Sequence, residues 1–224
     1  MKSPEKAASR IYKSNSDLTV HLERQRLVAV VRSKGADEAY RTACAASDAG
    51  ISFVEITLTV PNALTVIEKL ALRNNLYVGA GTVLSKMDGK KAIDAGARFI
   101  VSPTLELDLI PICHRAGVAC FPGAATPTEI LSARRMGADL VKIFPVDLLG
   151  GPYFIRQMQG PFPDVRFMVS GGVSLGNVQE YVQLGVVGIC LGSAYLDSLL
   201  AGKGSVGFIK EIKEFTKRVE EAQR

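Results

Sequence analysis

Eight short apolar runs recur along this chain at intervals of roughly 20 to 27 residues, and each is followed by a stretch of helical periodicity. The runs occupy residues 27–32, 53–58, 77–83, 99–103, 119–123, 140–145, 166–172 and 187–193. The helical patterns lie at 37–49, 61–72, 85–95, 105–116, 126–136, 151–158, 174–184 and 206–221. Five of them end in a glycine that leads into the next strand (Ala49-Gly50, Ala95-Gly96, Ala116-Gly117, Met136-Gly137 and Leu184-Gly185), a signature of helix C-termini. Strict alternation of strand and helix implies a parallel sheet, and eight such units close into a (β/α)₈ barrel. An open doubly wound sheet is the rival. The expected fold is therefore α/β: a single TIM barrel over residues 1–224. Residues 1–16 are expected to be mobile, with an extra N-terminal helix at 17–26 placed to plug the barrel bottom. The eight strands and their intervening helices fall within 27–193, and a final helix follows at 206–221.

Composition suits that architecture and removes several function classes. The chain is 47% apolar but only 7% aromatic, so its core must be aliphatic, as a barrel filled by Val, Ile and Leu requires. The net charge of +5 sits at the two ends, because residues 27–202 carry fifteen charges of each sign. No basic face with interleaved aromatics is present, so a nucleic-acid partner is not expected. No apolar run approaches the roughly 18 residues of a membrane span. The polar start, lacking a signal-like apolar stretch, points to a cytoplasmic protein. Cys44, Cys113, Cys120 and Cys190 lie in apolar surroundings without CxxC spacing and read as buried free thiols. With only His21 and His114 there is no histidine–carboxylate cluster, so neither a metal nor a cofactor is expected.

Barrel enzymes place their chemistry at the C-terminal ends of the strands. Here those ends present Arg32, then Glu55 with Thr57 and Thr59, then Thr82, Ser102, Pro122-Gly123, Lys142, Ser170-Gly171-Gly172 and Gly192-Ser193. Lys142 stands in Leu140-Val141-Lys142-Ile143-Phe144-Pro145, one amine among apolar residues. Such a lysine either reaches out at the strand end or stays desolvated, and a desolvated amine holds its proton less tightly and can attack a carbonyl carbon. It could equally be a structural lysine paired with a carboxylate. Glu55 alternates with Phe53 on one side of its strand, while Val54, Ile56 and Leu58 take the other, so the carboxylate points into the barrel. It is either half of a structural ion pair or a general acid/base beside a reactive amine. Glycines after strands seven and eight let backbone amides approach an anion, which makes Gly171, Gly172, Gly192 and Ser193 a candidate phosphate site. Gly79-Ala80-Gly81-Thr82 lies within a strand and lacks a third glycine at dinucleotide spacing, so these glycines are expected to make room at the barrel mouth. Thr82 offers a hydroxyl there, Phe121-Pro122-Gly123 shapes the wall beside Lys142, and Thr126 with Glu129 reads as a capping box.

From about residue 26 to 219 the chain resembles the class I pyruvate aldolases that cleave 2-keto-3-deoxy-6-phosphogluconate (KDPG). The resemblance is carried by Val-Glu-Ile-Thr-Leu, Gly-Ala-Gly-Thr-Val, Ile-Val-Ser-Pro, Phe-Pro-Gly, Val-Lys-Ile-Phe-Pro, Gly-Pro-Phe-Pro, Ser-Gly-Gly-Val and Leu-Gly-Ser, in that order. It implies a homotrimer of barrels acting on a small keto-acid phosphate. Lys142 would be the Schiff-base residue, Glu55 the general acid/base, and the two glycine loops the phosphate site. Pro103 and Phe144, within these segments, are further candidates for substrate contact. Many members carry an arginine near the position of Leu58; here the region reads Leu58-Thr59-Val60-Pro61, and the carboxylate contact is assigned to Arg32. Ser170 stands where gluconate-type members have threonine and galactonate-type members a small apolar residue. It keeps the hydroxyl and leans towards the gluconate type. The expectation is a lyase of the Entner–Doudoroff type yielding pyruvate and glyceraldehyde 3-phosphate. The alternatives are the same chemistry on 4-hydroxy-2-oxoglutarate or the galactonate epimer, and a non-catalytic phosphate-ligand-binding barrel.

Overall fold

A computed structural model describes residues 15–224. In chain order its elements are α1 (Asn15–Gln25), β1 (Leu27–Val31), α2 (Ala36–Asp48), β2 (Phe53–Thr57), α3 (Ala63–Ala71), β3 (Tyr77–Gly81), α4 (Lys86–Asp94), β4 (Phe99–Val101) and α5 (Leu109–Arg115). They continue with β5 (Ala119–Phe121), β6 (Gly123–Ala124), α6 (Pro127–Arg135), β7 (Val141–Ile143), α7 (Pro152–Gln159), β8 (Phe167–Val169), α8 (Val178–Gln183), β9 (Gly188–Leu191) and α9 (Ser193–Ala222). All strand pairs are parallel, in the order β5-β4-β3-β2-β1-β9-β8-β7-β6.

The nine segments fill eight barrel positions, because the expected fifth strand is divided at Pro122. Proline has no N–H to give the ladder. β5 accordingly pairs with β4, β6 pairs with β7, and the Pro122 carbonyl still accepts from Lys142 N–H at 2.9 Å. The barrel closes through one broken strand.

Two apolar layers follow from strand alternation. Val54 and Ile56 belong to the layer between sheet and helices, whereas Phe53 belongs to the barrel interior with Val28, Phe99, Phe121, Leu140 and Met168. Contrary to the purely aliphatic filling expected, interior rings stack in sequence, Tyr77 on Phe53 at 4.6 Å and Phe99 on Phe121 at 5.6 Å between centroids. Leu18 and Leu22 of α1 join this interior cluster, so α1 plugs the bottom of the barrel as expected. Arg166 pins the plug, donating to Thr19 Oγ1 and to Glu23 Oε2, each at 3.0 Å. With the bottom filled, the open end lies at the strand C-termini.

The boundaries need four corrections, the first being that α5, expected from residue 105, begins only at Leu109. The helix at the N-terminus starts at Asn15, two residues early, and the rest of the expected mobile stretch lies outside the described residues. α8 begins only at Val178, since residues 174–177 form a turn. The final helix was expected from residue 206, but α9 begins at Ser193 and breaks at Gly204, where φ is 60° and ψ −174°. The first segment, which buries Leu196 and Leu199, was not expected. Among the described residues no helix is long and apolar enough to cross a membrane.

Candidate active site

Strands β2 and β7 stand four positions apart in an eight-position barrel, so their inward side chains meet across its axis. Lys142 Nζ lies 3.8 Å from Glu55 Oε1, with side chains only 6% and 1% exposed. The second carboxylate oxygen, Glu55 Oε2, is buried without a hydrogen-bond partner among the described residues. A buried carboxylate oxygen left unsatisfied is unfavourable, and it marks a place where another polar group can be accepted. Lys142 Nζ also stands 5.3 Å from the centroid of the Phe144 ring.

Close backbone approach makes this pair possible. A Cβ on Gly81 would lie 1.9 Å from Glu55 Oε1, and one on Gly79 would lie 2.3 Å from the Phe99 ring. The two glycines of β3 therefore make room for neighbouring side chains, as the sequence suggests. The next residue, Thr82, takes φ 54°, a left-handed conformation that is unfavourable by roughly 1–3 kcal/mol for a β-branched residue and recurs at functional sites. Its Oγ1 accepts from Arg32 Nη2 at 3.0 Å, joining the ends of β1 and β3 at the rim.

A cavity of about 870 Å³ opens over these groups. Arg32, Glu55, Thr82, Pro103, Lys142 and Phe144 line one part of it, and Ser170, Gly171, Gly172, Gly192 and Ser193 another. The residues assigned to catalysis, substrate contact and phosphate binding thus line one cavity, whereas Thr57, Thr59, Ser102, Pro122 and Gly123 of the same strand ends do not line it. The glycine side is rich in donors. The amides of Gly171, Gly172 and Val173 make no hydrogen bond among the described residues. Gly192, the N-cap of α9, provides no side-chain cap, so the first-turn amides of that helix are uncapped by a side chain too.

Sequence reading missed several of the lining residues. Tyr195 lines the cavity from the first turn of the helix that begins at Ser193, which was not foreseen. Its hydroxyl donates to Glu211 Oε1 at 2.7 Å, and burial together with that bond pushes the phenol above its ordinary range, so it stays protonated. Val30, Val173, Ser174 and Ala194 complete the wall. Cys190 is buried as expected, but it lies close to Lys142, Glu55 and Ser170. Desolvation pushes its thiol up to about 12, against the opposing pull of Lys142, so it is no competing nucleophile near neutral pH. Among the described residues no group of three or more His, Cys, Asp or Glu side chains is placed to hold a metal ion.

The family model described as KDPG and KHG aldolase matches residues 18–212. The chain belongs to the KDPG and KHG aldolase family. It is thus an aldolase, a carbon–carbon lyase. A 2-dehydro-3-deoxy-phosphogluconate aldolase of Treponema pallidum is 33% identical over 201 residues, 88% of this chain and 95% of that protein. The enzyme of the same name from Pseudomonas aeruginosa is 38% identical over 148 residues, 66% of this chain and 67% of its own length. A solved structure described as native KDPGal superposes with a TM-score of 0.78 at 31% identity, covering 88% of this chain and 95% of that one. For an aldolase of this family, one buried amine beside one buried carboxylate, in a barrel mouth with free amides opposite, is a chemically sufficient set of groups.

Proposed function

We propose that this aldolase cleaves 2-keto-3-deoxy-6-phosphogluconate to pyruvate and glyceraldehyde 3-phosphate through a Schiff base on Lys142. The observation that carries the reading is the Lys142–Glu55 pair, 3.8 Å apart, buried, and open to a single cavity that also holds the unbonded amides of the glycine loop. The amine attacks the C2 ketone, and loss of water leaves a protonated imine that serves as the electron sink. Glu55 takes the proton of the C4 hydroxyl as the C3–C4 bond breaks, and the aldehyde departs. The enamine is then protonated at C3, and hydrolysis of the imine releases pyruvate and restores the amine.

Each end of the substrate has its own reception. Arg32 and Thr82 face the carboxylate end at the rim. Phe144 and Pro103 flank the reacting carbons. Ser170 meets the distal hydroxyls, while the loop at Gly171-Gly172 and the helix start at Gly192-Ser193 take the phosphate. Binding the remote phosphate places the C2 carbonyl beside the amine, which converts binding free energy into orientation.

Borohydride reduction in the presence of pyruvate, followed by intact mass and peptide mapping, tests the reading. A single reduced pyruvate adduct on Lys142, absent from Lys142→Ala together with all turnover, is the expected result. A folded protein that forms no adduct overturns it. The likeness to the KDPGal structure supports a second reading, the same chemistry on the galactonate epimer. A comparison of kcat/KM for the two C4 epimers and for 4-hydroxy-2-oxoglutarate separates them.

A further inference from the structure

The loop between β8 and α8 passes through two left-handed residues, Gly171 at φ 94° and Gly172 at φ 71°. A glycine pair has the widest choice of backbone conformations, so a fixed peptide orientation there needs an external hold. The near end is tied to β7 and the turn that follows it: Ser170 N–H donates to the Ile143 carbonyl at 3.1 Å, and the Ser170 carbonyl accepts from Val146 N–H at 2.9 Å. Behind the turn stands Asp147, whose Cβ would lie 2.3 Å from a Cβ placed on Gly172. The far end is held by one side chain. Asn177 Nδ2 donates to the Gly172 carbonyl at 2.9 Å, and Asn177 Oδ1 accepts from Ser174 N–H at 2.9 Å.

The Gly172 carbonyl and the Val173 N–H belong to one peptide plane, and in a trans peptide they point in opposite directions. Fixing that carbonyl on Asn177 therefore turns the Val173 N–H the other way, and Val173 lines the cavity with its amide unbonded among the described residues. If the plane rotated, a carbonyl oxygen would replace a donor at the anion. Only a side chain with both a donor and an acceptor can make the two bonds. We propose that Asn177 is a positioning residue for the distal anion of the substrate, setting the peptide planes of the glycine loop so that their N–H groups face it. The proposal rests on the reading of that loop as the phosphate end.

The test compares wild type, Asn177→Ala and Asn177→Asp on KDPG and on 4-hydroxy-2-oxoglutarate, which lacks the phosphate, with inorganic phosphate as a competitive inhibitor. In Asn177→Ala, KM for KDPG and the inhibition constant for phosphate should both rise about tenfold while kcat stays within about twofold. Kinetics on 4-hydroxy-2-oxoglutarate and pyruvate trapping on Lys142 should be unchanged. Asn177→Asp keeps the acceptor, loses the donor and adds a negative charge, so its loss should be larger. Asn177→Ser, which cannot span both groups, carries the same test should the alanine variant fold poorly. An unchanged KM for KDPG, or equal losses on both substrates, overturns the role of Asn177 alone. A wild type indifferent to the phosphate in substrate and inhibitor overturns the phosphate reading and this proposal together.

Discussion

Glu55 and Lys142 sit on opposed strands, so their separation is set by the barrel's width and not by a flexible loop. That rigidity makes single substitutions informative. Glu55→Gln preserves shape but removes the base, so kcat should fall by roughly 10²–10⁴ with little change in KM. Steady-state kinetics decide the point, and a pure KM effect would make Glu55 a binding residue. The two glycines of β3 should separate function from stability. Gly81→Ala drives a methyl into the Glu55 carboxylate, and kcat should drop at least about tenfold with only a small change in melting temperature. Gly79→Ala instead meets the Phe99 ring inside the packed interior and should destabilise by about 1–3 kcal/mol in urea melts. An unchanged kcat in Gly81→Ala would show that Glu55 gives way to the methyl without losing its place in the reaction.

At the scale of elements, α6 is the helix whose ends are most explicitly written. Thr126 Oγ1 accepts from the Glu129 N–H, and Glu129 Oε2 accepts in return from the N–H groups of Ala125 and Thr126, both at 2.9 Å. The bond from Ala125, then those from Thr126, hold the Glu129 carboxyl below its ordinary range. A lowered folded-state pKa stabilises the protein above the ordinary glutamate value of about 4.3, and the gain disappears as pH falls through the lowered value. The stability gap between wild type and Glu129→Gln should thus be wide at neutral pH and shrink as pH falls below the ordinary glutamate value in denaturant titrations. Thr126→Ala should lose about 1 kcal/mol at neutral pH. The capping box was readable because its spacing is local. The first segment of α9 was not expected, although Leu196, Leu199 and Leu200 recur at helical spacing.

For the whole molecule, the plug at the barrel bottom couples the N-terminal helix to the interior that supports the site. Leu22 is fully buried in the same cluster as Phe53, the residue two positions before Glu55 on β2. Leu22→Ala should lower stability by about 2–5 kcal/mol with a nearly unchanged m-value in urea. An exposed-site response, below about 0.5 kcal/mol, would mean that α1 does not seal the barrel in solution. Arg166 stands just before β8, at the bottom of the barrel. Its bonds to Thr19 and Glu23 of α1 show that it closes the end opposite the chemistry.

The sequence by itself determined the strand–helix period, the C-terminal helix glycines, the inward face of Glu55 and the set of residues at the strand ends. These follow from patterns only a few residues long, governed by the two-residue repeat of a strand, the turn of a helix and the freedom of glycine. Tertiary structure alone decided that β2 and β7 oppose each other, that Gly81 clears space for Glu55, that Cys190 lies near the reactive pair, and that Asn177 holds the glycine loop. Those facts depend on closure of the barrel and on contacts between distant segments, where register and radius, not local preference, set which atoms meet.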